Sequence, residues 1–429
     1  MHWPPASGGW LFFVACPNGG AQDVLMRAGP TLLIIPPLQA VRGPGRAVRL
    51  PRKFLEGVAT YAQLWSGPVR VRTGAQDHPT TNLDETTFEP DDWPFELKIA
   101  PLDGGEMDEA IADADIVLGA IGFLQNDLPA RCQRLGTACV LVTELALHTR
   151  LQIAMAEEQS LMKRLRRTIW ERGQERRNRA AVRLASGVQA NGTPTFDAYR
   201  PENPNTILYF DSRVTEEMLA DERRVRSRPT EGPLRLAFSG RFVEIKGVDH
   251  LVQVARHLVK AGVEFQLDLF GDGPLAEGIR AETDRTGLSE YVKMRGVLDF
   301  ATELVPTLSR DIELFVCPHR QGDPSCTYLE TMSCGVPIVG YDNEAFAGLT
   351  RTSGLGWTTP LDDPRALGTR IVDLARDRAA LRQAGIESLR FARVHTFDRT
   401  FRRRIEHLRK TLDLHRGVAA TSRQATARS

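Results

Sequence analysis

Hydrophobic positions along this chain fall into two series in which strand-like and helix-like runs alternate. In the first series LLIIPPL reads as a strand, and RKFLEGVATYAQLW places Phe54, Leu55, Val58, Tyr61, Ala62 and Trp65 at helical spacing. PVRVRT is a short strand, and the polar, acidic stretch 74–96 reads as loop. ADIVLGAIGF and TACVLVTEL are apolar runs of the buried parallel-strand kind, with the helix-like DLPARCQRLG between them. This rhythm predicts an α/β fold, a parallel sheet with helices on both faces.

Residues 150–183 read as one long basic helix or two, carrying Lys163, Arg164, Arg166, Arg167, Arg172, Arg176, Arg177, Arg179 and Arg183. Such a face is either a solvated surface or a site for anionic lipid or a phosphorylated acceptor. The charged, Pro-containing DERRVRSRPTEGP reads as a linker. The second series starts near Leu234 with LRLAFSGRFVEIKG, and continues through FQLDLFGDGPL, YVKMRGVL and ELFVCPHRQGDPSCTYLETMSCGVPIVGYDNEA. Its first helix shows Val248, Leu251, Ala255, Leu258 and Val259 on one face. A later helix starts at an Asp362 or Asp363 cap with Pro364 in its first turn.

At 429 residues the chain is too long for one ordinary core, so two domains are expected. Residues 1–25 read as a disordered or mis-started leader, with Met26 as the effective start, followed by an N-terminal domain over 26–205 and a linker over 206–230. A C-terminal domain spans 231–395, a last helix 396–415, and a disordered tail 416–429 that lacks a hydrophobic set. Lys plus Arg total 55 against 54 Asp plus Glu, so no global field selects nucleic acid. The 6 cysteines are scattered without zinc-like pairs, which points to reduced, buried thiols in a cytoplasmic protein. No run approaches the roughly 18 apolar residues of a membrane span.

Candidate chemistry collects where the second series of strands ends, the edge at which open α/β sheets bind ligands. In SGRFVEIKG, Gly240 permits a tight turn, Arg241 stands at the sheet edge, and Lys246 precedes the next helix. Two cations beside a helix start suit a diphosphate, and an ordinary loop with two solvated cations is the rival reading. Gly271 and Gly273 in GDGPLA match a dinucleotide fingerprint, but a strand and a helix already precede them; a tight turn beside a ligand fits better. In the stretch 317–337, Ser325 is a candidate helix cap, the N–H groups of Ser325, Cys326 and Thr327 are candidate phosphate donors, and Glu330 is a candidate partner for a ribose diol or simply a salt-bridged helix residue.

Taken in order, GR(x4)KG at 240–247, GDGP at 271–274, CP at 317–318 and LE(T)M(S)CGVPIV at 329–339 resemble the family-four retaining glycosyltransferases of the GT-B fold, the glycosyl transferases of group 1. The resemblance covers residues 231–376 and implies two Rossmann-like domains facing across a cleft, the C-terminal one holding a nucleotide-sugar donor, the N-terminal one a glycan or lipid-linked acceptor, with the last helix crossing back. It implies that Arg241 and Lys246 stabilise the leaving diphosphate and that Glu330 holds the ribose, with no metal or other cofactor. Gly322 departs from the pattern, because the family commonly carries a second Glu there, in contact with the transferred sugar. Either Asp323 takes that role, or the backbone N–H groups of Gly322 and Asp323 do. On the first domain the resemblance points to Glu144 and His148, and to the basic stretch Arg46, Arg49, Arg52 and Lys53, as groups near the sugar or acceptor. The implied activity is transfer with retention to an acceptor hydroxyl, in polysaccharide or glycolipid assembly, by a cytoplasmic protein with peripheral contact to an anionic inner membrane face. A nucleotide-sugar epimerase and a non-catalytic nucleotide-sugar-binding protein are the alternatives.

Overall fold

A computed structural model describes residues 28–76, 85–157 and 160–426. The leader 1–25, the start at Met26 and residues 427–429 lie outside the described residues. The first sheet contains β1 (Leu32–Ile34), β2 (Gln39–Arg42), β3 (Val48–Pro51), β4 (Val69–Gln76), β5 (Glu85–Phe88), β6 (Glu96–Ile99), β7 (Ile116–Ala120), β8 (Ala138–Thr143), β9 (Gly187–Asn191) and β10 (Thr206–Tyr209). Its order is β10-β9-β8-β7-β1-β4-β2-β3-β5, with β6 also on β4. Pairs from β10 to β4 are parallel, while β3 runs antiparallel to β2 and β5. The second sheet, β13 (Val292–Gly296), β12 (Phe265–Phe270), β11 (Leu234–Ser239), β14 (Leu314–Cys317), β15 (Ile338–Tyr341) and β16 (Trp357–Thr359), is parallel throughout.

Both sheets reverse direction of growth beside their first strand, between β1 and β7 and between β11 and β14. At such a switch point two loops leave in opposite directions and open a crevice at the strands' C-terminal ends. The central strands are buried on both faces, as Ile116, Val117 and Leu118 show, and this is why they read as unbroken apolar runs. The helix His250–Lys260 buries Leu251, Val252, Val254, Ala255 and Leu258, whereas Val259, expected on that face, is 37% exposed. Asp363, not Asp362, caps the helix Pro364–Ala375 by accepting the Ala366 N–H at 2.9 Å.

Several sequence expectations need correction. The stretch 74–96 is not simply loop, because it holds the end of β4, β5 and the start of β6; β5 and β6 are short, polar strands at the margin of the sheet. The span 206–230 begins inside the first sheet, since β10 pairs with β9, and it ends with the short helix Glu222–Arg226. Of the two readings left open for the basic segment, one helix or two, the structure has two, Leu147–Glu157 and Leu161–Leu184. The last helix runs Phe397–Thr426, so the expected tail is helical through Thr426. It does cross back: Phe401, Ile405, Leu408 and Leu412 join the core of the first sheet with Leu55, Val58 and Tyr61. Among the described residues all cysteines are free, and all but Cys326 are buried.

His395 sits at the joint where the chain turns back. Its ring lies 4.5 Å from Phe391 and 5.2 Å from Phe210. Burial, with Arg403 nearby, lowers its pKa to about 4. An imidazole depressed this way adds stability above its unfolded value, and that stability is lost as pH falls from about 6.5 toward 4. Urea unfolding should therefore show a loss at pH 5, relative to pH 7, larger by about 2 kcal/mol in the wild type than in His395→Phe. Equal losses in the two proteins would remove His395 from the acid limb.

Candidate functional site in the interdomain cleft

The loops that follow β11, β12 and β14 are fused by backbone contacts. Gly240 N–H donates to Phe270 O at 3.0 Å, Phe242 N–H to Asp272 O at 2.8 Å, and Leu275 N–H to Phe242 O at 3.0 Å. Gly271 (φ 134°) lies so close that a Cβ there would stand 1.9 Å from the Gly240 carbonyl oxygen, and one at Gly273 would meet Phe242 backbone at 2.7 Å. Gly247 (φ 64°) would place a Cβ 2.0 Å from Pro318 O. The glycines thus serve close loop-on-loop packing.

This packing fixes the two cations. Arg241 is exposed, and its side chain makes no hydrogen bond or ion pair among the described residues. Lys246 is 6% exposed, and its Nζ donates to Asp323 Oδ2 at 3.4 Å. Behind it, His319 is fully buried with both ring nitrogens unpartnered. Burial and the neighbouring Lys246 hold that imidazole well below its ordinary pKa, hence neutral.

Gly322 does not offer its backbone to a ligand. Its N–H donates to Gln152 Oε1 at 3.1 Å, and its carbonyl accepts from Thr149 Oγ1 at 3.0 Å, both from the helix Leu147–Glu157 of the first domain. The expectation that the Gly322 N–H touches sugar hydroxyls is therefore corrected. Asp323 remains: one carboxylate oxygen faces Lys246, and Oδ1 is buried without a partner. A side chain at 322 would press on Glu344, whose Cβ stands 3.0 Å from the position of the missing Cβ. His148, 64% exposed, has Nδ1 3.5 Å from Glu344 Oε2 across the domain boundary.

The helix Thr327–Ser333 begins after Cys326 with no side-chain cap, so Ser325 is not its cap; Ser325 O instead accepts the Tyr328 N–H at 3.3 Å. Glu330 is 8% exposed and is engaged by Arg213, with Nε 2.6 Å from Oε1 and Nη2 3.4 Å from Oε2. The Arg213 guanidinium lies 3.9 Å from the centre of the Phe300 ring, and its buried Nη1 has no partner. A carboxylate accepts several bonds at once, so a ribose diol could share Glu330 with Arg213. Sequence reading missed Arg213, which lies in the stretch read as linker.

The opposite wall centres on Lys53 and Asp211, 2.6 Å apart. Burial alone would push the Lys53 ammonium down, but Asp211 outweighs it and holds Lys53 above its ordinary value. Burial likewise opposes, and Lys53 secures, an Asp211 carboxylate below its ordinary range. The Cys326 thiol, 3.7 Å from Asp211 Oδ2, is pushed up to about 12 by burial, which keeps it a protonated donor rather than a nucleophile. Glu144 is exposed to solvent beside this ion pair. Of the basic stretch, Lys53 carries charge into the cleft. Arg46 stands at the exposed tip of the β2–β3 hairpin, 2.9 Å from Asp91.

Two parallel-sheet domains with facing strand ends, and cations on the first loop of the second, define a GT-B protein. Residues 233–377 match the model of the family described as Glycosyl transferases group 1, in agreement with the motifs. WcaL of Escherichia coli K12, described as a colanic acid biosynthesis glycosyltransferase, is 26% identical over 167 residues, which cover 37% of this chain and 41% of that protein. The alpha-D-kanosaminyltransferase of Streptomyces kanamyceticus is 26% identical over 192 residues, 42% of this chain and 49% of that protein. The match thus spans less than half the length of these curated relatives. Among solved structures, Anabaena HepE in complex with UDP superposes with a TM-score of 0.63 at 12% identity, covering 89% of this chain and all (100%) of that one. Sucrose-phosphate synthase of Thermosynechococcus elongatus gives 0.56 at 15% identity, covering 92% and 100%. These likenesses establish the fold.

Gly271→Ala should lower the unfolding free energy by about 3 kcal/mol, because backbone must move and φ is unsuited to a side chain. Gly278→Ala is the control: it lies in the helix Ala276–Arg285, nothing stands within 4 Å of its added Cβ, and a stabilisation of up to about 1 kcal/mol is expected. Denaturant titrations of the two variants decide it, and equal stability would mean the loops are not fused as described.

Proposed function

We propose that the protein is a retaining glycosyltransferase that moves a sugar from a nucleotide-diphosphate donor to an acceptor hydroxyl in polysaccharide or glycolipid assembly. The observation that carries this reading is Lys246, a nearly buried ammonium whose carboxylate partner Asp323 is 3.4 Å away, on the loop that also presents the unpartnered Arg241. Such a pair is built for an incoming anion, because an ammonium this deep is stabilised further by each oxygen it gains. Names of relatives support the reading: colanic acid assembly for WcaL, aminosugar transfer for the kanosaminyltransferase, and a UDP complex for HepE.

In this mechanism the diphosphate lies against Arg241 and Lys246 at the switch point of the second sheet. Glu330, oriented by Arg213, accepts from the ribose hydroxyls. The acceptor hydroxyl approaches on the face from which the diphosphate departs. Its oxygen bonds to the anomeric carbon as the bond to the leaving phosphate oxygen breaks, and the departing diphosphate takes the hydroxyl proton. The protein's contribution is preorganised positive charge where negative charge grows, so no dedicated base or metal is required. Asp323 and Glu344 give this wall two carboxylates for sugar hydroxyls, and His148 and Glu144 face them from the first domain.

Lys246→Ala should reduce kcat at least about a hundredfold, the equivalent of roughly 3 kcal/mol of barrier, while the fold is kept. Product formation from a panel of nucleotide sugars and glycan or lipid-linked acceptors reads this, with circular dichroism as the folding control. Unchanged turnover would discard the assignment. Glu330→Ala should instead weaken nucleotide affinity about tenfold, the worth of a charge-assisted hydrogen bond, as measured by calorimetry. Donor epimerised in the absence of acceptor, or tight nucleotide binding without any transfer, would replace the transferase reading.

A further inference from the structure

The helix Leu161–Leu184 is built inside out. Glu171, Gln174, Glu175 and Asn178, spaced so that they share one face, are all buried. They are satisfied there: Arg150 pairs with Glu171 at 3.0 Å and Glu175 at 2.8 Å, Tyr199 donates its hydroxyl to Glu175 at 3.1 Å, and Asn126 donates to Gln174 at 3.1 Å. The face turned outward over the first turns is apolar. Leu161, Met162, Leu165 and Ile169 are 80%, 67%, 55% and 64% exposed. Phe123, meeting Trp170 edge-on at 6.0 Å, extends this surface to the loop after β7, where Leu124 is 41% exposed.

Along the helix itself, the charges beside this patch are of one sign. Between Ser160 and Trp170 stand Lys163, Arg164, Arg166 and Arg167 and no carboxylate, and Arg172, Arg176 and Arg177 follow on exposed positions. Both carboxylates of the helix within this stretch point inward. A covering surface must therefore be apolar at its centre and negative at its rim. A second copy docked two-fold on the same patch would set cations against cations. No helix among the described residues is long and apolar enough to cross a membrane, so contact would lie along the bilayer surface.

We propose that this face of the helix Leu161–Leu184 docks on an anionic lipid bilayer, with Leu161, Met162, Leu165 and Ile169 entering the headgroup–acyl boundary and the lysine and arginines among the phosphates. The inference is independent of the transfer reading. Its geometry has one consequence for that reading: the preceding helix Leu147–Glu157 holds Gly322 through Thr149 and Gln152, so the membrane would lie near the mouth of the cleft.

The test is co-sedimentation of the full chain, residues 1–27 included in every variant, with phosphatidylcholine vesicles containing about one-third phosphatidylglycerol and with phosphatidylcholine alone. Wild type should pellet with the anionic vesicles, less so as salt rises, and stay in the supernatant with neutral ones. Leu165→Asp with Ile169→Asp, and separately Lys163→Glu with Arg166→Glu, should each partition about tenfold more weakly, with circular dichroism and Tm unchanged. The charge-reversal pair keeps the test decisive if the apolar pair misfolds. Equal pelleting of wild type and both pairs would overturn the proposal. So would wild type remaining in the supernatant, or a wild-type dimer that the aspartate pair converts to monomer, which would make the patch a self-interface.

Discussion

An ammonium held just below the surface at the edge of a parallel sheet constrains everything around it. Removing Lys246 from water is unfavourable unless opposite charge is brought to it. Asp323 answers that requirement from the loop after β14, and in doing so ties the later part of the Pro318–Cys326 stretch to the cationic loop. The same enclosure keeps His319 neutral, so the ring behind Lys246 adds no competing positive charge. Gly247 completes the arrangement by allowing the cationic loop to lie directly on Pro318. The switch point thus supplies a crevice, and backbone contact between its loops supplies rigidity, which preorganised electrostatics needs.

The two domains are joined at this point by unlike devices. Thr149 and Gln152 grip both backbone groups of Gly322. Lys53, Asp211 and Cys326 bring the first helix, the crossover segment and the second domain to one ion pair. Beyond the cleft, Arg351 reaches Asp197 at 2.6 Å, and Thr193 Oγ1 lies where Gly348 leaves room for it. The last helix then ties the assembly from behind: Arg404 donates to Gln189 Oε1 at 2.8 Å and lies over Tyr209 at 4.4 Å. Leu208 and Phe210 add apolar packing against the core of the second domain, so the boundary combines polar and apolar contacts.

The second domain was legible in the sequence because its chemistry is local: each strand ends in its own turn, so Arg241, Lys246, Gly271 and Glu330 could be placed from order alone. Arg213 could not, and Lys53 was legible only as one of four cations in a basic stretch. Their partners, Glu330 and Asp211, lie 117 and 158 residues away in the chain, and only the crossover brings them together. Edge strands such as β5 were missed because ETTF shows no buried face; antiparallel pairing with β3, not a hydrophobic set, makes it a strand. The terminal helix outran its reading for a related reason: once Phe401 through Leu412 are packed, adding further turns requires no new nucleus. In the basic segment the periodicity of Glu171, Gln174, Glu175 and Asn178 was present, but polar residues at helical spacing read as outward until Arg150 is seen facing them.

Gly322 shows why a missing side chain is not simply a missing group. An acidic residue there would need space already filled by the Cβ of Glu344, and would press on Thr149 Oγ1 at 3.3 Å. A side chain at 322 would therefore press on Glu344 and on the Thr149 contact, and both would have to give slightly. The wall keeps a carboxylate, now carried by the first turn of the helix Glu344–Ser353, where the N-terminal dipole favours its negative charge. Freed of a side chain, the backbone at 322 takes on a different task, accepting and donating the hydrogen bonds that hold the domains together. The loop at 322 thus joins the two domains through its backbone, while Glu344 carries the carboxylate beside it.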